Sequence, residues 1–158
     1  MDDLDVPALQ QEHLDLQRDG MKVLLGWSVV NLAGGGIGAA LADTPRADAF
    51  WLGTAGWNVV NAGIAGAGLA TLPARRRATL DVSGVRRQAD TFERTLLVNI
   101  GLDVAYLAAS GWLIERGRRV GDDQLRGLGT AVLAQGGFLL VYDSTLYAAS
   151  TRKTAPLR

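Results

Sequence analysis

Two aspartates, Asp103 and Asp143, each lie within a long run of otherwise uncharged residues. A carboxyl group in such a run can take up a proton or a cation, because carboxylate oxygens are good ligands for hard cations. Neither run contains a Lys, Arg or His that could neutralise the acid. Three states therefore stay open for each aspartate: protonated, ionised and satisfied by hydrogen-bond donors, or bound to a cation.

Further polar side chains recur at helical spacing in these runs and in two others. Lipid exposure of such groups is costly, so we expect them to face a shared interior. The candidate ion- or solute-binding residues are Asp103, Asp143, Asn31, Asn61, Asn99, Tyr106, Gln135 and Tyr142. Trp27 and Trp57 are expected to add an aromatic lining. The same spacing also fits a purely structural core, whose hydrogen bonds would hold the helices in register.

Four segments must position these residues, at 23–42, 49–72, 95–114 and 127–151. Each has 20–25 residues, the length of a helix that crosses about 30 Å of hydrocarbon. A soluble bundle of 158 residues has too small an interior to bury four helices that are apolar all round. We therefore predict an all-α fold, a four-transmembrane-helix bundle that forms a single membrane domain over residues 1–158.

The first two segments are related by an internal repeat. Residues 26–31 (GWSVVN) match residues 56–61 (GWNVVN) at five of six positions, and the 30-residue offset gives 8 identities over 16 positions. Successive crossings run in opposite directions, so this pattern predicts an inverted repeat that relates helices 1 and 2. Small residues allow helices to approach closely in lipid. The glycines expected to serve helix packing are Gly34, Gly38, Gly66 and Gly68.

The flanking residues predict structure outside the crossings. Apolar residues at spacings of three and four predict a short amphipathic interfacial helix over 6–17, with His13 on its surface. Pro73 is expected to end the second crossing. Residues 73–94 then form a basic cytoplasmic loop and an extension of the third helix. The arginines of this loop are expected to set the topology, with binding of anionic lipid headgroups as the alternative.

The distribution of Lys and Arg predicts the orientation. Eleven of them lie in the N-terminal segment, the middle loop and the C-terminal segment, against five in the other two loops. Both termini are therefore expected in the cytoplasm. Residues 40–42 (ALA) resemble a signal-peptide cleavage site, but the acidic leader and the near-copy in the second segment favour an uncleaved crossing.

Several function classes find no support in the composition. The chain has no Cys, a single His and a net charge of zero. These numbers argue against a disulfide framework, a thiolate or multi-histidine metal site and a nucleic-acid-binding stripe. The glycine-rich run at 34–38 lies inside an apolar segment, so it is not a phosphate-binding loop. We expect no enzyme activity, no metal and no cofactor.

Three motifs carry a resemblance to a known family. Residues 57–61 (WNVVN), residues 99–106 (NIGLDVAY) and residues 135–138 (QGGF), followed by Asp143, resemble a family of small uncharacterised bacterial four-helix integral membrane proteins. The similarity covers about residues 20–150. It implies the fold and a place in the bacterial inner membrane, and it implies no activity.

Taken together, these features predict a small ion, proton or polar-solute transporter or channel. The expected partners are the lipid bilayer, a proton or monovalent cation, and either further copies of the chain or the other subunits of a membrane complex. The alternative is a non-catalytic accessory subunit, or a lipid- or pigment-binding membrane protein, with a structural polar core.

Overall fold

The computed structural model describes residues 5–155, which form four long helices and, within that range, no strand. The helices are α1 (Val6–Ala40), α2 (Pro45–Arg77), α3 (Val82–Val120) and α4 (Asp123–Thr154). The all-α prediction is confirmed. Residues 1–4 and 156–158, which include Arg158 of the arginine count, lie outside the described residues.

Each helix begins where a side chain accepts a hydrogen bond from a backbone N–H group three residues further on. The N-cap residues are Asp5, Thr44, Asp81 and Asp122, with distances of 2.8–3.2 Å. Such caps satisfy donors that the first helical turn leaves free. Gly121 ends α3 with a φ of 69°, a conformation that glycine adopts without strain. The resulting short connections make consecutive helices antiparallel.

Helix α1 packs against α2, α2 against α4, and α4 against α3, whereas α2 and α3 scarcely touch. The start of α1 lies beside the end of α2, where Gln10 donates to the carbonyls of Arg75 and Ala78 at 3.2 and 2.8 Å. The end of α4 lies beside the start of α3, where Thr154 donates to Glu93 at 2.7 Å. We call this common end of the bundle, made of residues 6–22, 73–94 and 152–154, the stem.

Burial along the middle of the bundle is reversed relative to a water-soluble protein. Large apolar side chains point outwards, as at Val30 and Val141, which are 68% and 69% exposed. Polar side chains point inwards, as at Asn58 and Gln135, which are 0% and 1% exposed. Helices α1, α3 and α4 are long and apolar enough to cross a membrane. This arrangement indicates a membrane protein, because hydrocarbon surroundings favour an apolar exterior.

The stem differs from the prediction in two places. The interfacial helix expected over 6–17 is the first part of α1, which runs without a break to Ala40. Pro73 lies inside α2, which continues to Arg77. Contacts between helices account for both differences, since the start of α1 packs inside the bundle and Gln10 binds carbonyls at the end of α2.

The prediction of a surface histidine is also wrong. His13 is 1% exposed and packs edge-on against Phe92, with the ring centroids 5.4 Å apart. Its Nε2 atom lies 2.7 Å from Gln17 Nε2. Burial, aided by the positive charge of Arg75, lowers the pKa of His13 to about 4. The side chain is therefore neutral at physiological pH.

Candidate functional site

Asp103 of α3 and Asp143 of α4 meet inside the bundle, where they are 2% and 4% exposed. Their side chains are close enough to share a proton through a hydrogen bond, and Asn99 lies beside Asp143. The tight packing of α3 on α4 brings them together. Gly136 lies at this contact, where an added Cβ would make ordinary van der Waals contacts with Tyr106, Leu107 and the Asp103 carbonyl oxygen.

Several polar atoms around this acid pair have no hydrogen-bond partner among residues 5–155. They are Asp103 Oδ2, Asn61 Nδ2 and the Tyr142 hydroxyl. An unpaired buried polar group costs about 1–3 kcal/mol, so native interiors contain few of them. The unpaired carboxylate oxygen can accept a proton or bind a cation, and the unpaired amide group can donate to an oxygen.

The acid pair lies at the inner end of a cavity of about 1020 Å³. Helices α2 and α3 form its two sides, and residues of α1 and α4 complete the lining. The predicted site residues that line it are Trp57, Asn61, Asn99, Asp103, Tyr106, Tyr142 and Asp143. Trp57 and Tyr106 pack edge to face, with ring centroids 4.8 Å apart. Because α2 and α3 scarcely touch, the cavity opens sideways between them.

The remaining predicted site residues form a separate cluster, which we call the Gln135 cluster: Trp27, Asn31, Asn58 and Gln135. Gln135 Oε1 accepts from Trp27 Nε1 at 2.9 Å and from Asn58 Nδ2 at 3.0 Å. Gln135 Nε2 donates to Asn31 Oδ1 at 3.2 Å. Trp27, Asn31 and Gln135 therefore do not line the cavity as expected, because their polar groups are used in joining α1, α2 and α4.

Phe138 connects the two polar regions. It stacks on Trp27 with the ring centroids 4.0 Å apart, and on Tyr142 at 5.8 Å. Neither Phe138 nor Asn58 was among the predicted site residues. Asn58 carried a usable signal, since it lies three residues before Asn61 and so on the same helix face.

Of the four glycines expected to lie at contacts between helices, two do so and two do not. Gly34 and Gly66 have open space where a Cβ would lie, so neither packs closely against another helix among residues 5–155. Gly35, which was not predicted, contacts Ala55 and the Trp51 carbonyl, and Gly38 lies against the Trp51 ring. Gly68 lies against Met21. Adding the 30-residue offset to Gly38 and Met21 gives Gly68 and Trp51, so the two contacts repeat the sequence offset.

The stem end of the cavity is lined by Gln17, Arg75, Arg87 and Gln88. Arg75 Nη1 donates to Gln17 Oε1 at 2.6 Å. With its amide turned to face the guanidinium, Gln88 accepts from Arg75 Nη2 and Nε at 3.0 and 3.2 Å. The basic run of the middle loop contained these arginines but gave no sign of which would reach the cavity.

Among residues 5–155, no group of three or more His, Cys, Asp or Glu side chains is placed to hold a metal ion. The chemistry available at the acid pair is therefore that of two carboxyl groups flanked by amide and hydroxyl groups. Such a set can exchange a proton, or surround a small cation with oxygen atoms.

A family profile matches residues 23–144, and its description is a family of unknown function. The matched range includes the acid pair and the Gln135 cluster. It leaves out the whole stem portion of α1 and the last turns of α4. No curated protein and no solved structure matches the chain.

Proposed function

The chain thus belongs to DUF6992, a family of unknown function, and we propose that it is a small membrane transporter or channel. In this proposal Asp103 and Asp143 bind a proton or a monovalent cation, and the cavity connects them to one side of the membrane. No residue is assigned a catalytic role.

The proposed topology has four crossings with both termini in the cytoplasm. Helices α1, α3 and α4 have the length and composition of membrane spans. Helix α2 connects the end of α1 to the start of α3, which lie at opposite ends of the bundle, so α2 must cross with them. The excess of Lys and Arg in the stem supports a cytoplasmic location for that end. The bacterial inner membrane remains part of the proposal.

One observation carries the proposed activity: Asp103 Oδ2 and Asn61 Nδ2 are buried without partners where the cavity ends at the acid pair. A structural polar core leaves few such atoms, since each unpaired group costs stability. Asn58 Oδ1 in the Gln135 cluster is also unpaired, but Asn58 does not line the cavity, whereas Asp103 and Asn61 do. A bound proton, cation or polar solute would supply the missing partners. Acidic groups inside a membrane protein commonly mark such pathways.

The Gln135 cluster supplies the barrier that a transport protein needs. It lies between the cavity and a second pocket of about 240 Å³ at the opposite end, lined by residues such as Thr44, Arg46 and Trp51. Under the proposal the cavity is open towards the cytoplasm and closed towards the outside. Transport then requires a second conformation in which the hydrogen bonds of Gln135 rearrange.

A second candidate function is a non-catalytic accessory subunit, or a lipid- or pigment-binding membrane protein, with a structural polar core. The complete pairing of the Gln135 side chain favours this candidate for that region of the bundle. The unpaired atoms at the acid pair do not favour this second candidate. The two candidates therefore differ in what substitution of the aspartates should do.

Reconstitution into liposomes tests the proposal, with proton and monovalent-cation flux measured by an enclosed fluorescent indicator. Wild-type protein should give flux above empty vesicles, and Asp103→Asn or Asp143→Asn should reduce it at least tenfold while the helical content is kept. Asp43→Asn is the matched control, because Asp43 is an exposed acid outside the bundle interior. The proposal fails if wild type matches empty vesicles, or if the two aspartate variants conduct like Asp43→Asn.

A further inference from the structure

The cavity is long and changes character along its length. From Asn61 to Arg75 it follows 14 residues of α2, a distance of about 21 Å at 1.5 Å per residue. The acid pair lies at one end and two arginines at the other. Apolar side chains line the part between them: Met21, Leu24, Ile64, Leu72, Leu96 and Leu146. An occupant of the middle part must therefore be apolar.

Arg75 lies at the stem end of this apolar part without a carboxylate partner within residues 5–155. Its guanidinium is held by the neutral amides of Gln17 and Gln88. Partial burial lowers the pKa of Arg75, as expected for a guanidinium group that is withdrawn from water. Buried charges in proteins are normally paired. The arrangement therefore lacks an anion.

Two neighbouring arginines of the stem, unlike Arg75, lie beside acidic side chains. Arg76 forms an ion pair with Asp15 and donates to Gln11 at 2.9 Å, and Arg86 lies 4.0 Å from Asp90. Arg87 also lines the cavity, where it donates to the hydroxyl of Ser83 at 3.2 Å and interacts electrostatically with Asp81. Arg75 is thus the cavity arginine whose described hydrogen-bond partners are neutral amides.

The side opening between α2 and α3 determines how an occupant could enter. The outward faces beside it carry large exposed apolar residues, such as Val60 at 61% and Val98 at 57%. In the proposed orientation these faces contact acyl chains, and the opening leads into the cytoplasmic leaflet. A lipid molecule can reach the cavity through this opening without leaving the membrane.

We propose that the stem end of the cavity binds one anionic phospholipid of the cytoplasmic leaflet. Its phosphate lies between Arg75 and Arg87, and an acyl chain fills the apolar part. Guanidinium groups form paired hydrogen bonds with phosphate oxygens, and the fixed amides of Gln17 and Gln88 hold Arg75 ready for them. This inference rests on the proposed orientation in the membrane, and it does not depend on ion flux.

The test is native mass spectrometry of protein taken from vesicles of equal phosphatidylglycerol and phosphatidylcholine. Wild type should retain one phosphatidylglycerol per chain in preference to phosphatidylcholine. Arg75→Gln should reduce that retention about tenfold or more, since it removes a charge-assisted pair. Arg77→Gln is the matched control, because Arg77 belongs to the same run but is exposed and does not line the cavity.

A second variant keeps the arginines and fills the apolar part instead. Thr95 lines the cavity with an exposed side chain, so Thr95→Trp can block the acyl chain without displacing the core. It should lower retention as Arg75→Gln does, and thermal unfolding should show that both variants are folded. Excess glycerol phosphate, which has the headgroup chemistry without a chain, should not displace the lipid.

Three results would overturn the inference: equal retention of the two lipids by wild type, equal loss in Arg75→Gln and Arg77→Gln, or full retention in folded Thr95→Trp. Failure here is distinguishable from failure of the transport proposal. Failure of the transport proposal would be measured as unchanged flux in the aspartate variants, whose arginines and apolar lining are intact.

Discussion

The bundle contains two polar regions that differ in how their side chains are paired and in whether they border the cavity. In the Gln135 cluster, one glutamine joins three helices and both of its polar atoms are used. Around the acid pair, Asp103 and Asn61 keep unpaired atoms beside a large cavity. The residue types are similar and both regions are buried. The two regions differ in what their unpaired atoms face: Asn58 Oδ1 of the Gln135 cluster is unpaired within packed helices, whereas Asp103 and Asn61 line the cavity. Access to a cavity, rather than burial or polarity, therefore separates a candidate binding site from a structural polar core.

At neutral pH, the largest expected effect on stability comes from Gln135→Leu. This change leaves Trp27, Asn31 and Asn58 without their shared partner, at a cost of about 2–3 kcal/mol in unfolding free energy. Unfolding in mixed detergent, followed by circular dichroism, measures it. A cost below that of Asp103→Asn would contradict the contrast between the two regions.

The stem offers a pH-dependent prediction that separates it from the membrane regions. The pKa of His13 is lowered from 6.5 to about 4 in the folded protein, so the unfolded chain binds a proton more readily between these values. Stability is therefore unaffected above pH 6.5 and falls as the pH drops towards 4, by up to about 3 kcal/mol. Unfolding measured from pH 7 to pH 4 should lose this slope in His13→Leu. An unchanged slope would place the effect elsewhere, with the acid pair as the next candidate.

Gly38 and Gly68, which are related by the 30-residue offset, test whether the two ends of the bundle differ in rigidity. Gly38→Ala forces a Cβ into the Trp51 ring and should cost about 1–3 kcal/mol. Gly68→Ala meets the flexible end of Met21, which borders the cavity and can move aside, so its cost should stay below about 1 kcal/mol. Gly34→Ala, with open space around it, is the control for helix propensity. Equal costs at positions 38 and 68 would show that the cavity end is as rigid as the other end.

The smallest effect on stability is expected for Asp103→Asn. Its Oδ2 atom accepts from no donor group within residues 5–155, and the amide of an asparagine can still donate to Asp143. The substitution should therefore change the unfolding free energy by less than about 1 kcal/mol. Thermal unfolding of this variant beside Gln135→Leu gives the comparison. A large loss of stability would place Asp103 with the structural core.

The four helices and the two acids of the site could be predicted from the sequence, because both depend on the spacing of residues along the chain. Uncharged runs of membrane length predicted the helices, and the isolated charges of Asp103 and Asp143 marked the acid pair. The division of Asn31 and Asn61 between two regions could not be predicted, since it depends on which helices pack. The burial of His13 against Phe92 and the position of Arg75 depend on contacts between residues far apart in sequence.

The repeated contact between α1 and α2 has a consequence for symmetry. An ideal twofold axis between the two helices would close both ends of their interface equally. Here the equivalent positions hold Trp51 at one end and Met21 at the other. Each side chain contacts the glycine that faces it, and the smaller thioether also borders the cavity. The two ends of the α1–α2 interface thus differ in side-chain volume at one pair of related positions, and the end with the smaller side chain is the one that borders the cavity.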